Sequence, residues 1–191
     1  MSYLLNAVAL LLGIAFDAVV ILFLLRIAAE ACRAEFHNPL SQFVYRATNP
    51  VLARIRRVVP NWHRINLAAV LVAWVAVLVK RVVLFALMGV MPHLIGLIVL
   101  AAAELLDFAL LFYLVIVFAW ALLSMFAPDP RQPVQRLLND LADPLVRPLQ
   151  GRLTLGAIDF SPTVVIIGLL LARLLVAAPL IDLGTRLAIV A

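Results

Sequence analysis

The sequence predicts an all-α integral membrane protein with four transmembrane helices. They form two tandem two-helix repeats running parallel to one another, each with an amphipathic interfacial helix on the cytoplasmic side. Three observations lead there. Hydrophobic residues make up 66% of the 191-residue chain and charged residues 13%, with a mean hydropathy of +1.16, against about 25% charged in soluble domains. Four stretches are apolar over the ~20 residues that cross a ~30 Å hydrocarbon core. Finally, the stretch from Asn38 to Pro60 recurs as the stretch from Gln132 to Leu153.

The recurrence has a definite register. A shift of 94 residues lays Pro39 on Pro133 and Pro50 on Pro144, and Leu40, Phe43, Val44 and Ala47 on Val134, Leu137, Leu138 and Leu141. Those four positions have the i, i+3, i+4, i+7 spacing of one helix face. Matched prolines and a matched apolar stripe mark a duplication. The repeats are drawn as residues 3–90 and 94–178, followed by a short tail, 179–191.

The spans are expected at Tyr3–Leu25, Leu67–Leu87, Leu97–Phe118 and Phe160–Ala178, with Pro179 ending the last. The first apolar run is too long for a signal-peptide core and has no basic residue ahead of it, so it reads as a helix that stays in the membrane. Two spans per repeat put both proline-containing loops on one side. Between Arg33 and Arg64 the first loop carries six arginines, and the second carries Arg131, Arg136, Arg147 and Arg152. The turn from Gly89 to Gly96 has no Lys or Arg. The positive-inside rule therefore predicts cytoplasmic loops and both termini on the far side of the membrane.

Within each loop, the first proline (Pro39, Pro133) suits the first position of a helix, where its missing N–H costs nothing. The second (Pro50, Pro144) is expected to break or kink that helix, leaving pieces of about ten residues. Such pieces, apolar on one side, fit a helix lying in the interface or capping the bundle. Arg54, Arg56 and Arg57, with Arg136 and Arg147 in the second copy, are the candidates for contact with anionic headgroups or a partner protein. The net charge of +5 would suggest nucleic acid in a soluble protein, but cations beside apolar spans point to lipid, and no nucleic-acid partner is expected.

Ionisable residues inside a span cost about 2.5–3.5 kcal/mol each near the bilayer centre. Asp17, Lys80, Arg81, Glu104, Asp107 and Arg173 therefore require partners. Lys80 and Glu104 both lie twelve residues from Pro92, about 18 Å along an antiparallel hairpin, and a Lys80–Glu104 bridge is expected, with Asp107 sharing Lys80 or Arg81. The alternative is that the two cations snorkel outward. Lys80 follows Asn66 by fourteen residues as Arg173 follows Asp159, so a cation at this depth belongs to the repeat. Asp159, ahead of Ser161 and Pro162, suits a helix cap.

Signals for catalysis are weak. His37, His63 and His93 are scattered, Cys32 stands alone, and no phosphate loop, nucleophile elbow or dinucleotide fingerprint is present. Tyr45, Trp62, Trp74 and Trp120 suit interface or packing roles. No enzyme activity, metal or cofactor is expected.

Over residues 3–178 the chain resembles the YggT family of small bacterial inner-membrane proteins, which has cyanobacterial and plastid relatives. The residues that carry the resemblance are LLRI from Leu24, FHNPLSQFV from Phe36, TNPVLARIRRVVP from Thr48, LADPLVRPLQ from Leu141 and GAIDFSP from Gly156. Asn66 departs from the pattern, which favours aspartate there. The resemblance implies a bacterial inner-membrane location, which makes both termini periplasmic, and a non-enzymatic membrane factor for assembly or homeostasis. Alternatively it implies a component of osmotic-stress-linked ion transport, which four such helices would conduct only as a homo-oligomer.

Overall fold

In the computed structural model the described residues are 3–34, 38–57, 59, 65–126, 132–151, 154–155 and 158–189. Four helices are long and apolar enough to cross a membrane: α1 (Tyr3–Ala31), α3 (Leu67–Leu87), α4 (Leu94–Phe126) and a final one, Ser161–Ile189. Two shorter helices, α2 (Pro39–Ile55) and α5 (Pro133–Val146), connect them. A two-stranded ribbon, β1 (Thr154–Leu155) against β2 (Ile158–Asp159), precedes the last helix.

Helix α3 coincides with its expected span, Leu67–Leu87, while the other three long helices outrun theirs. The 33 residues of α4 extend about 50 Å, and α1 runs six residues past Leu25 to Ala31, because no proline interrupts either apolar run. Where they stop, the backbone is capped. Arg33 takes a left-handed conformation (φ 55°) and the Ala34 N–H reaches back to the Ala29 carbonyl at 2.9 Å. Gly89 (φ 69°) closes α3 the same way, with Val90 N–H on the Phe85 carbonyl.

Three expectations need correction. Pro50 and Pro144 do not break their helices; both lie inside them, near the C-terminal ends, where few backbone bonds remain to be lost. Nor does Pro179 end the last span. Helix α6 (Ser161–Ala172) passes into a π-helical turn, Arg173–Ala177, and on into α7 (Ala178–Ile189). The wide turn, in which Ala178 N–H bonds the Arg173 carbonyl five residues back, makes room for a ring that an α-helical turn would clash with. The expected tail is thus mostly helix.

Helix α7 packs tightly on α4. A Cβ on Gly96 would collide with the Ala188 backbone nitrogen, and one on Gly184 would lie 2.7 Å from Leu100 Cα. Small residues let the two backbones meet, as in membrane helix pairs generally. His93 N–H donates to the Ala188 carbonyl at 2.9 Å, so the end of α7 lies beside the α3–α4 turn.

The main core joins Val20, Leu24 and Ala28 of α1, Phe112, Ile116 and Val117 of α4, and Leu137, Leu138 and Leu141 of α5. A smaller cluster of Phe23, Leu52, Ala68, Ala69 and Ala73 ties α2 and α3 to α1. Much of the remaining apolar surface faces outward, including Leu10, Leu11, Ile14, Val115, Phe118, Ile167, Leu174 and Leu175. That distribution suits lipid rather than water as the surroundings.

Candidate functional site

Three groups of polar residues stand out, and the helices position each. The first is a row of charges inside the bundle. Lys80 Nζ meets Asp17 Oδ1 at 2.5 Å, Arg81 pairs with Glu104, and Arg173 grips Asp107 through two bonds of 2.8 and 2.9 Å. The expected Lys80–Glu104 bridge does not form. Equal depth was only half the condition. Lys80 and Arg81 are neighbours about 100° apart on α3, so one faces α1 and the other α4. Asp107 likewise turns to Arg173 rather than to Lys80 or Arg81.

The pairing follows the duplication. Asp17–Lys80 joins the two long helices of the first repeat, Asp107–Arg173 those of the second, and Arg81–Glu104 links the repeats. Asp107 stands four residues, one helical turn, before the position the 94-residue shift assigns to Asp17. Three cations meet three carboxylates, so these pairs carry no net charge among themselves. Lys80, Arg81, Glu104 and Asp107 also line a cavity of about 200 Å³ with Val77, Phe108 and Ile181, enough for several waters. Arg81 Nε faces no hydrogen-bond partner among the described residues.

The second group lies at the loop-side ends of α1 and α4. Arg26, 2% exposed, pairs with Glu30 at 2.7 Å and sits with its Cζ 3.4 Å over the Tyr45 ring. Arg56 joins the same Glu30 oxygen at 2.7 Å, and Arg26 also approaches Asn49. These contacts hold α2 against α1, and burial pushes the Tyr45 phenol above its ordinary pKa. In the second repeat Trp120 donates to Asn139 at 2.7 Å, at the positions that correspond to Arg26 and Tyr45. One contact between a long helix and a short one thus recurs with different chemistry.

The expected spans stopped at Leu25, one residue short of Arg26, so this cluster was missed. The i, i+4 spacing of Arg26 and Glu30 was the available signal. Cys32 nearby has its thiol pushed up by burial and by Asp140 and Asp143, which disfavours a reactive thiolate.

The third group is the pair of loop helices. Pro39 and Pro133 open α2 and α5 at their first turns. Asn38 caps α2 by accepting from Leu40 N–H at 3.0 Å, and its amide donates to the Pro133 carbonyl at 2.7 Å, tying the two helix starts together. Of the candidate contact arginines, Arg54, Arg57 and Arg136 are exposed. Arg56 turns inward to Glu30, and Arg147 leans on Asp143 at 3.6 Å. Asp159 accepts from Ser161 N–H at 2.9 Å and faces its hydroxyl at 2.5 Å, at the start of α6. Asn66 accepts from Ala69 N–H at 3.2 Å at the start of α3. His37, Pro60, Trp62, His63, Arg64, Arg131 and Arg152 lie outside the described residues. Among those described, no three His, Cys, Asp or Glu side chains gather as metal ligands.

The duplicated sequence has a counterpart among known proteins. The family model described as CCB3/YggT matches residues 5–87 and 99–180. The chain belongs to the YggT family. It is 33% identical over 185 residues to "Uncharacterized protein YggT" of Escherichia coli K12, covering 95% of each chain. It is 33% identical over 175 residues to "Uncharacterized protein in proC 3'region" of Vibrio alginolyticus, covering 89% of this chain and 93% of that one. A Haemophilus influenzae relative, named only "Uncharacterized protein", is 30% identical over 167 residues. No solved structure matches. Both halves of the YggT match carry one of the intra-repeat ion pairs.

Proposed function

We propose that this YggT-family protein is a non-enzymatic membrane factor that engages anionic lipid headgroups through α2 in support of membrane assembly or homeostasis. The observation that carries the reading is the uncovered side of α2. Leu40, Phe43 and Val51 are exposed there, and Arg46 and Arg54 are exposed on the same helix, with Arg57 just beyond it. Apolar side chains and guanidinium groups on one short helix suit the headgroup boundary, where stems enter lipid and cations meet phosphate. In this reading the repeats run parallel, the loops are cytoplasmic and both termini are periplasmic, since the α3–α4 turn lacks Lys and Arg. A reporter fused after Ala191 is expected to read as external.

Flotation of the purified chain with vesicles of phosphatidylglycerol and phosphatidylcholine tests the contact. Replacing Arg46, Arg54 and Arg57 by Gln should lower the anionic-lipid preference by about 1 kcal/mol per arginine. A preference unchanged in the triple variant sinks the reading.

A second reading, participation in ion movement, rests on the ~200 Å³ cavity among four charged side chains. Potassium or sodium flux in liposomes that responds to Glu104→Gln would favour it, and flux that is absent or insensitive would remove it.

A further inference from the structure

The duplication sets a cavity in the second repeat where the first repeat is filled. Under the 94-residue shift Arg26, Glu30 and Arg56 correspond to Trp120, Ser124 and Gln150. In the first repeat Glu30 binds both arginines at 2.7 Å, and the three long side chains occupy the space beside α1 and α2. In the second repeat their counterparts line a cavity of about 620 Å³, together with Asp159, Phe160 and Thr163. Two guanidinium groups and a carboxylate have been exchanged for an indole, a hydroxyl and an amide. The volume is that of a small-molecule site.

The exchange also inverts the charge. Beyond the loop helices the shift shortens by one residue to 93, so Asn66, neutral in the first repeat, corresponds to Asp159, and among the described lining residues Asp159 carries the sole charge. Its carboxylate is oriented by the Ser161 N–H and hydroxyl on Oδ1, and a carboxylate has about four acceptor sites, so capacity remains. That Ser161 hydroxyl also reaches the Leu149 carbonyl at 2.8 Å, and its one proton serves one acceptor at a time. Trp120 has committed its N–H to Asn139, which leaves the ring faces for packing. Aromatic faces attract cations, and a carboxylate beside them adds a counter-charge. Ser124, Gln150 and Thr163 supply neutral hydrogen-bonding groups.

We propose that this cavity binds an ammonium group, with Asp159 as counter-ion, Trp120 and Phe160 as aromatic walls, and Ser124, Gln150 and Thr163 holding the polar remainder of the ligand. Trp120 lies near the loop-side end of α4, at headgroup depth if that helix spans the bilayer. The ammonium can therefore come from the ethanolamine headgroup of a phospholipid or from a small soluble amine.

The test uses the purified full chain and native mass spectrometry, titrating phosphatidylethanolamine, phosphatidylglycerol and free ethanolamine in separate arms. With the α2 contact removed by Arg46→Gln, Arg54→Gln and Arg57→Gln, the chain should retain phosphatidylethanolamine more tightly than phosphatidylglycerol. Asp159→Asn should weaken that retention about tenfold, the worth of one charge-assisted hydrogen bond. The substitution places at 159 the residue that caps α3 from position 66, which keeps the variant foldable. Ser124→Glu combined with Gln150→Arg rebuilds part of the first-repeat cluster and should abolish binding by filling the space, with the thermal midpoint unchanged. Competition by free ethanolamine at equal strength assigns the site to a small amine. Binding confined to the phospholipid assigns it to the headgroup. Equal retention of the two lipids in that α2 background, or a phosphatidylethanolamine preference surviving there in both cavity variants, overturns the proposal.

Discussion

Helices α2 and α5 descend from one unit and bury the same four positions: Ser41, Val44, Thr48 and Leu52 on one, Gln135, Leu138, Ala142 and Val146 on the other. They differ a third of a turn away. Leu137 is 8% exposed and Leu141 fully buried, whereas the corresponding Phe43 is 65% exposed and Ala47 is open as well. The extra face of α5 belongs to the main core, which includes Ala28, Ala29 and Ala34 at the end of α1. The matching face of α2 has no such cover. Duplication thus produced one copy that builds the core and one that presents a surface. The loop-side polar positions diverged in parallel, to a filled ion cluster in the first repeat and a cavity in the second.

The sharpest way to break this comparison is at the cluster. Glu30→Gln leaves the buried Arg26 without its carboxylate, and removing one partner of a buried pair costs about 3–5 kcal/mol. The corresponding Ser124→Ala borders a cavity and should cost under about 0.5 kcal/mol. Reversible unfolding in mixed micelles measures both, and equal costs would mean the two repeats are not divided as described.

The next test contrasts core with surface. Leu141→Ala empties a buried site in α5 and should destabilise by about 2–5 kcal/mol. Phe43→Ala, on the open side of α2, should change stability by no more than about 0.5 kcal/mol while reducing vesicle binding. A large stability loss from Phe43→Ala would mean that this side of α2 is covered after all.

What the sequence made legible follows from what repeats along it. Hydropathy located the four spans, and the proline spacing located the starts of α2 and α5, because both are one-dimensional signals. Depth was legible too, since Lys80 and Arg173 each take a carboxylate partner on the preceding long helix of the same repeat. Azimuth was not, because which face a residue presents depends on how helices pack, and that moved Lys80 from Glu104 to Asp17. Pro179 misled for a related reason. A proline ends an α-helix unless the turn before it widens, and the widening at Arg173–Ala177 leaves no mark in composition. Phe43 and Leu137 carry the same hydrophobic signal, yet only tertiary contact decides which is covered.

The smallest expected effect concerns the two residues ahead of the second long helices. Asn66 and Asp159 both accept a backbone N–H there, but only Asp159 can titrate. Bonds from the Ser161 hydroxyl and N–H favour its ionised form and hold its carboxyl below the ordinary value of 3.8. A depressed folded-state pKa stabilises the fold above the unfolded value, and that contribution fades as pH falls through the folded pKa. Wild type should therefore lose a small increment of stability as the pH is lowered from about 4. Asp159→Asn should lack that increment, and Asn66→Asp should gain one of the same sign if its neighbours bond the carboxylate as Ser161 does. The check is the unfolding midpoint of wild type and Asp159→Asn from pH 6 to pH 3, in a non-ionic detergent so that lipid titration does not intrude. Superimposable profiles would show that the Ser161 contacts do not favour the charged form, and the two caps would then be equivalent despite their chemistry.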